Sequence, residues 1–142
     1  MAFVVDASVT MAWCFQDEKS PYTEFVLERL TSEEGFVPVI WPLEVVNVLL
    51  IAERKGRLTS ALADEFIVTL SQLPITVKEF DWPGKAETLL LRGRAMGLTA
   101  YDTSYLDLAL RLGCPLATKD RKVQDAACQV GVAVLEQDFP DS

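Results

Sequence analysis

Apolar positions in this chain fall into two kinds of stretch, short unbroken runs and longer ones spaced by three or four residues, and the two kinds alternate. Phe3-Val4-Val5 is of the first kind, too brief for a helix and rich in β-branched side chains, and predicts a buried strand that stops at Asp6. Val9, Ala12 and Trp13 then take helical spacing, with Phe15 just beyond. After a polar break, Ser20 predicts an N-cap with Pro21 at the first helical position. Tyr22, Phe25, Val26, Arg29 and Leu30 mark the amphipathic helix that follows, ending before Gly35. Phe36 to Ile40 predicts a second strand, made irregular by Pro38. Helices are expected from about Leu43 to Lys55, closed by Gly56, and from Thr59 to about Leu73. Ile75 to Phe80 alternates as an exposed edge strand does. Further helices are expected at about Gly84 to Met96, from Thr99 to Gly113 and near Arg121 to Gln129, with strands at Pro115 to Ala117 and Val132 to Leu135. Strands alternating with helices, without hairpin signals, imply βαβ units: an α/β domain on a central, mostly parallel sheet of about five strands. Residues 1–142 read as one domain, with 136–142 as a flexible acidic tail.

Composition narrows the function. Half of the 142 residues are hydrophobic, which suits a packed domain and not a disordered one. A net charge of −8 argues against a general polyanion binder but leaves room for a locally basic site. The three cysteines, Cys14, Cys114 and Cys128, are scattered through apolar contexts and form no Cys-x-x-Cys pair, so buried free thiols in a reducing compartment are expected. The N-terminus lacks a basic signal-peptide region, and Phe36 to Ala52 is too short and too interrupted to span a bilayer; a cytoplasmic protein without membrane attachment is expected. The chain has no histidine. That removes Ser-His-Asp and Cys-His nucleophiles, a histidine base and the ordinary catalytic zinc site, leaving carboxylates to carry any chemistry.

In a parallel sheet the strand C-ends, and the helix N-ends after them, share one edge, where ligands bind. Asp6, Glu44 and Asp120 each follow a strand and are brought to that edge by topology. Asp102 follows a helix, so the same argument does not place it. Singly, each acid has a plain structural reading: Asp6 and Asp120 as helix caps, Glu44 as a first-turn charge, Asp102 as part of a Thr-x-x-Asp capping box. Glu44 resists that reading most, because its helix is apolar nearly all round, with Asn47 as the polar neighbour at i+3, and reads as buried. Carboxylates gathered in one cleft repel one another unless a cation compensates, and oxygen-only ligands select a hard ion, Mg²⁺ or Mn²⁺. Such an ion activates water and stabilises charge on a phosphoryl group, which fits phosphodiester hydrolysis. Ser8 and Thr118 are candidates for orienting a water or a ligand carboxylate, and Lys119, Arg121 and Lys122 for meeting substrate phosphates. Asp81 reads as a turn residue, and Asp107 should point elsewhere on its helix.

Four blocks, in this order, closely resemble the PIN domain, and among its branches the VapC toxins of prokaryotic type II toxin–antitoxin pairs. They are Val-Val-Asp-Ala-Ser-Val from Val4, Trp-Pro-Leu-Glu-Val-Val-Asn-Val-Leu from Trp41, Gly-Leu-Thr-Ala-Tyr-Asp-Thr-Ser-Tyr-Leu-Asp-Leu-Ala from Gly97, and Cys-Pro-Leu-Ala-Thr-Lys-Asp-Arg-Lys from Cys114. The resemblance covers essentially the whole chain. It implies a three-layer α/β/α domain and a ribonuclease whose Mg²⁺ or Mn²⁺ is held by acids that match Asp6, Glu44, Asp102 and Asp120. Thr118 matches the hydroxyl accompanying the last acid, and Asn47 a frequent polar neighbour of Glu44. The resemblance also implies a homodimer and a small antitoxin partner, in which an arginine would pair with a carboxylate-lined groove.

Rival readings are weaker. A phosphoacceptor receiver would need paired acids where Ala7 follows Asp6, a haloacid-dehalogenase-type phosphatase a second Asp at Ser8, and a Rossmann domain a Gly-x-Gly-x-x-Gly turn that is absent. The sequence therefore points to a metal-dependent endoribonuclease acting on RNA as the toxin of such a pair. A stand-alone PIN nuclease in RNA processing and a non-catalytic α/β interaction module are the alternatives.

Overall fold

The structure, a computed structural model, describes residues 1–136. In chain order it contains β1 (Ala2–Val5), α1 (Ala7–Ala12), a 3-10 turn (Gln16–Glu18), α2 (Pro21–Arg29), β2 (Glu34–Pro38), α3 (Ile40–Arg54) and α4 (Ser60–Ser71). Then come β3 (Ile75–Lys78), α5 (Ala86–Met96), α6 (Ala100–Leu112), β4 (Leu116–Ala117) and α7 (Arg121–Val130). The tail expected at 136–142 lies, past Glu136, outside the described residues.

Among the described residues the sheet has four strands in the order β3-β2-β1-β4, every neighbouring pair parallel. The expected fifth strand is reduced to one parallel bridge, Leu116 with Val134. Two backbone bonds flank it: the Leu116 N–H donates to Ala133 O at 2.9 Å and the Leu135 N–H to Leu116 O at 2.8 Å. With β4 only two residues long, a fifth strand has little ladder to extend.

Parallel crossovers are right-handed, and this fixes the layers. The steps β1 to β2 and β2 to β3 go the same way, so α1–α2 and α3–α4 cross on one face. The return from β3 to β4 goes the other way, putting α5 and α6 on the opposite face, where α6 packs across β1, β2 and β4. Val4 and Val5 point to opposite sides of β1 and both are fully buried, so both faces are covered. The direction of winding reverses between β1 and β4, and their C-terminal ends form the topological switch point of the sheet.

Local signals set the helix ends. Ser20 and Thr23 form a capping box at α2 with Pro21 in the first turn, and Gly97, Gly113 and Gly131 close α5, α6 and α7 in the left-handed conformation. The second strand starts two residues earlier than the pattern suggested, and α3 begins at Ile40 instead of near Leu43. Pro42 falls in the first turn of α3, where a missing N–H breaks no helical bond.

Two expectations need correction. α3 is not buried all round: Trp41, Val45, Leu49 and Ala52 face the core, whereas Leu43, Val46, Leu50 and Ile51 are exposed. An all-apolar helix has one face against the sheet and its neighbours; the other is left uncovered within the described residues. The cysteines are free, as expected, but not buried: Cys14 and Cys114 are half-buried and Cys128 is exposed. No helix among the described residues is long and apolar enough to cross a membrane.

Candidate metal site at the sheet edge

β1 delivers Asp6 to the switch point. Its N–H donates to Ala117 O on β4 at 3.1 Å, and its carboxylate caps α1 by accepting the Val9 N–H at 3.1 Å. The same oxygen accepts the Ser8 hydroxyl at 2.6 Å, while the other accepts the hydroxyl of Thr118 in a short bond across the ends of β1 and β4. Ser8 and Thr118 are oriented in turn. The Lys119 N–H donates to Ser8 Oγ at 3.2 Å and the Asp120 N–H to Thr118 Oγ1 at 3.1 Å.

The other acids come from three helices: Asp102 and Asp120 stand at the N-terminal ends of α6 and α7, whereas Glu44, expected as a first-turn charge, lies one turn into α3 because that helix already starts at Ile40. Glu44 is half-buried in α3, and its Oε1 accepts the Tyr105 hydroxyl at 2.5 Å. Asp102 is half-buried in the first turn of α6, where its N–H donates to the capping Thr99 hydroxyl at 3.1 Å. Asp120 is exposed and caps α7, one oxygen accepting the Lys122 N–H at 2.9 Å and the Val123 N–H at 3.4 Å. Asp102 reaches the edge because only Gly113 to Pro115 separate α6 from β4, so α6 runs antiparallel to the strands and starts at their C-terminal ends.

Electrostatics tie the four together through Asp102. Burial pushes the Asp6 carboxyl up to about 6 against the opposing bonds from Ser8, Thr118 and Val9, and the charge of Asp102 raises it further. Glu44 is raised by burial and by Asp102, with the Tyr105 bond acting the other way. Asp102 is raised by burial and by Asp120, and lowered by Lys122 and the Thr99 bond. Asp6, Glu44 and Asp120 therefore each interact with one central carboxylate.

The expected supporting residues divide. Ser8 and Thr118 touch Asp6 directly, and Asn47 is exposed beside Glu44 in a groove with Leu43, Val46, Leu50 and Tyr101. Lys122 is the cation whose charge reaches Asp102; Lys119 is exposed, and Arg121 leans toward Asp125 at 3.7 Å on the surface. Asp107 does point elsewhere, buried between Arg92 at 3.2 Å and Arg111 at 3.1 Å. Three residues were not singled out from the sequence. Tyr105 bonds Glu44, the Thr10 hydroxyl donates to the Asp6 carbonyl at 2.9 Å, and Trp41 Nε1–H donates to Thr10 Oγ1 at 3.0 Å. Tyr105 had a visible signal: it is the one phenol in the buried run that follows Asp102, one helical turn on.

The donor set fits a hard divalent ion that keeps its water. Every candidate ligand is a carboxylate or hydroxyl oxygen; the charge of Asp102 raises Asp6 and Glu44, and that of Asp120 raises Asp102, with Lys122 acting against it. Among the described residues no three acid or cysteine side chains close into a cage around a point. Mg²⁺ does not require one, since it dehydrates reluctantly and is bound through one or two carboxylates, with waters and substrate phosphates completing the shell.

The family model described as PIN domain matches residues 3–128. Among solved structures, the chain is similar to PAE2754 from Pyrobaculum aerophilum at 25% identity and a TM-score of 0.67, over 89% of this chain and 87% of that one. It is similar to VapBC2 from Rickettsia felis, solved bound to a DNA fragment from their promoter, at 13% identity and a TM-score of 0.66, over 96% and 98% of the two chains. FitAcB from Neisseria gonorrhoeae is similar at 17% identity and a TM-score of 0.57, over 94% and 96%. No curated protein matches the chain significantly in sequence.

Proposed function

The chain belongs to the PIN domain family, and from that premise we propose that it is a divalent-metal-dependent endoribonuclease, the toxin of a toxin–antitoxin pair. The observation that supports it most is the convergence of Asp6, Glu44 and Asp120 on Asp102 at the switch point of the sheet. When bound there, Mg²⁺ or Mn²⁺ supplies an activated water and neutralises charge on the phosphoryl oxygens. The chain's own part is positional. Asp6 is held by Ser8, Thr118 and the Val9 amide, so its oxygens are fixed before any ligand arrives. Asp120, exposed at the rim, has one oxygen engaged in capping α7, and Lys122 beside it offers a cation to a substrate phosphate. Asn47 stands at the mouth near Glu44, where its amide can bond a water or the ribose.

The toxin role and an antitoxin partner rest on the resemblance of the four sequence blocks to VapC and on fold likeness to VapBC2, and a cytoplasmic setting on the free cysteines. The uncovered apolar face of α3, with Leu43, Val46 and Leu50, offers area for a second copy of the chain, as a homodimer requires. An interaction module without catalysis is the second reading, because Asp6 and Asp120 do cap α1 and α7. The two separate on one assay: cleavage of a mixed single-stranded RNA pool with Mg²⁺, with Mn²⁺ and with chelator, alongside Asp102→Asn. The nuclease reading expects metal-dependent cleavage that falls at least ~100-fold in the variant, beyond the loss typical of residues outside the ligand shell. Wild type and variant equally inert, with neither taking up metal, would leave the interaction module.

A further inference from the structure

Asp120 takes its bonds from amides of its own helix and Asp6 from the Val9 amide and the Ser8 and Thr118 hydroxyls, whereas Glu44 takes its bond from a side chain on another helix. Tyr105 on α6 is 2% exposed, and its hydroxyl sits 2.5 Å from Glu44 Oε1. It lies three residues after Asp102, so one helix presents an acid to the site and, one turn on, a donor to the acid of α3. Trp41, three residues before Glu44, ties the first turn of α3 from the other side. Its indole N–H donates to Thr10 Oγ1 at 3.0 Å, and the Thr10 hydroxyl donates to the Asp6 carbonyl at 2.9 Å. The helix carrying Glu44 is thus tied to the backbone of Asp6, and the carboxylate itself to the helix of Asp102.

We propose that Tyr105 is a positioning residue that fixes the Glu44 carboxylate against Asp102 and so sets the affinity of the site for a divalent ion. The proposal rests on the metal-site reading above. A glutamate has three side-chain torsions, and ordering it costs rotamer freedom that a bound ion must otherwise supply. The buried phenol meets that cost in the fold. It engages one carboxylate oxygen and leaves the other for a ligand. Partners that orient a metal-binding side chain typically change metal affinity ~10–100-fold when removed.

The test titrates Mn²⁺ alone into wild type, Tyr105→Phe and Tyr105→Leu, reading free ion by electron paramagnetic resonance, with melting measured in chelator. Phe keeps the ring packing and deletes only the hydroxyl; Leu gives an independent background should the first variant fold poorly. The expected result is at least ~10-fold weaker Mn²⁺ binding in both variants, with Tyr105→Phe melting within a few degrees of wild type. Equal Mn²⁺ affinity in all three proteins, whatever their melting temperatures, would overturn the positioning role and leave the metal site standing. No uptake by wild type would overturn the metal reading, and the Tyr105 role with it.

Discussion

Asp6 combines two demands that pull against each other. It is 6% exposed at a strand tip, where burial pushes its carboxyl up to about 6 from the ordinary 3.8. Between those values the folded protein holds a proton that the unfolded chain has already released. The folded state binds more protons, so stability falls as pH rises through this window, by ~3 kcal/mol once Asp6 is fully ionised. Glu44 and Asp102 are raised by the same causes and add to the trend, so the informative quantity is a difference between proteins. Asp6→Asn keeps an acceptor for Val9, and the Ser8 and Thr118 hydroxyls can rotate to suit the amide. In chelator, Asp6→Asn should gain stability over wild type between pH 4 and pH 7 while losing cleavage. Mn²⁺, which needs the ionised carboxylate, should raise the melting temperature of wild type more at pH 7 than at pH 5. Denaturant melts of both proteins across that range check it; parallel pH curves would mean that Asp6 is not strained by ionisation.

Element by element, most of this architecture was legible from hydrophobic period and punctuation. The run Phe3-Val4-Val5, the Ser20-Pro21 start and the glycines after α5, α6 and α7 each mark what they promised, because strand burial, capping and left-handed closure are local effects. Asp6, Glu44 and Asp120 were placed at one edge by the parallel sheet alone. Asp102 needed the resemblance, although α6 leads into β4 through only three residues and must therefore begin at that edge. The exposed face of α3 was not legible, since an all-apolar sequence does not say which of its faces the fold covers. Tyr105 stood out only as a phenol one turn after Asp102; that it bonds Glu44, 61 residues away in the chain, was not legible. Asp107 shows the limit of reading acids by type. It is 3% exposed and bridges Arg92 of α5 to Arg111 of α6, joining the helix hairpin that presents Asp102. Asp107→Asn should cost about 2 kcal/mol, both arginines being about one-third exposed and partly solvated after the loss. The melting temperature should fall by roughly 4–8 °C, while cleavage by the folded fraction stays within about twofold of wild type. A ~100-fold loss of cleavage in a folded variant would show instead that Asp107 belongs with the other four acids.

For the whole molecule, the proposed ribonuclease role sets an acidic protein against an acidic substrate. The chain carries −8, and its candidate site gathers four of the carboxylates at one edge. That balance argues against a basic face that tracks RNA over many nucleotides and leaves room for a local one. What remains near the site is the short cationic segment Lys119, Arg121 and Lys122 at the start of α7, of which Lys122 alone is felt by Asp102. Each phosphate neutralised on a single strand contributes about −0.7 to the slope of log affinity against log salt, so three contacts give about −2. With subsaturating RNA, fixed Mn²⁺ and varied KCl, the logarithm of kcat/KM should follow a slope no steeper than about −2. Lys122→Ala should flatten it by about 0.7. Arg121→Ala should change it less, since Arg121 already leans toward Asp125. A slope near −4 or steeper would require cations that this stretch does not have, and a second copy of the chain placed along the same RNA would be the source to look for. The salt dependence thus reads out, from kinetics alone, whether one copy of this domain meets its substrate or two do.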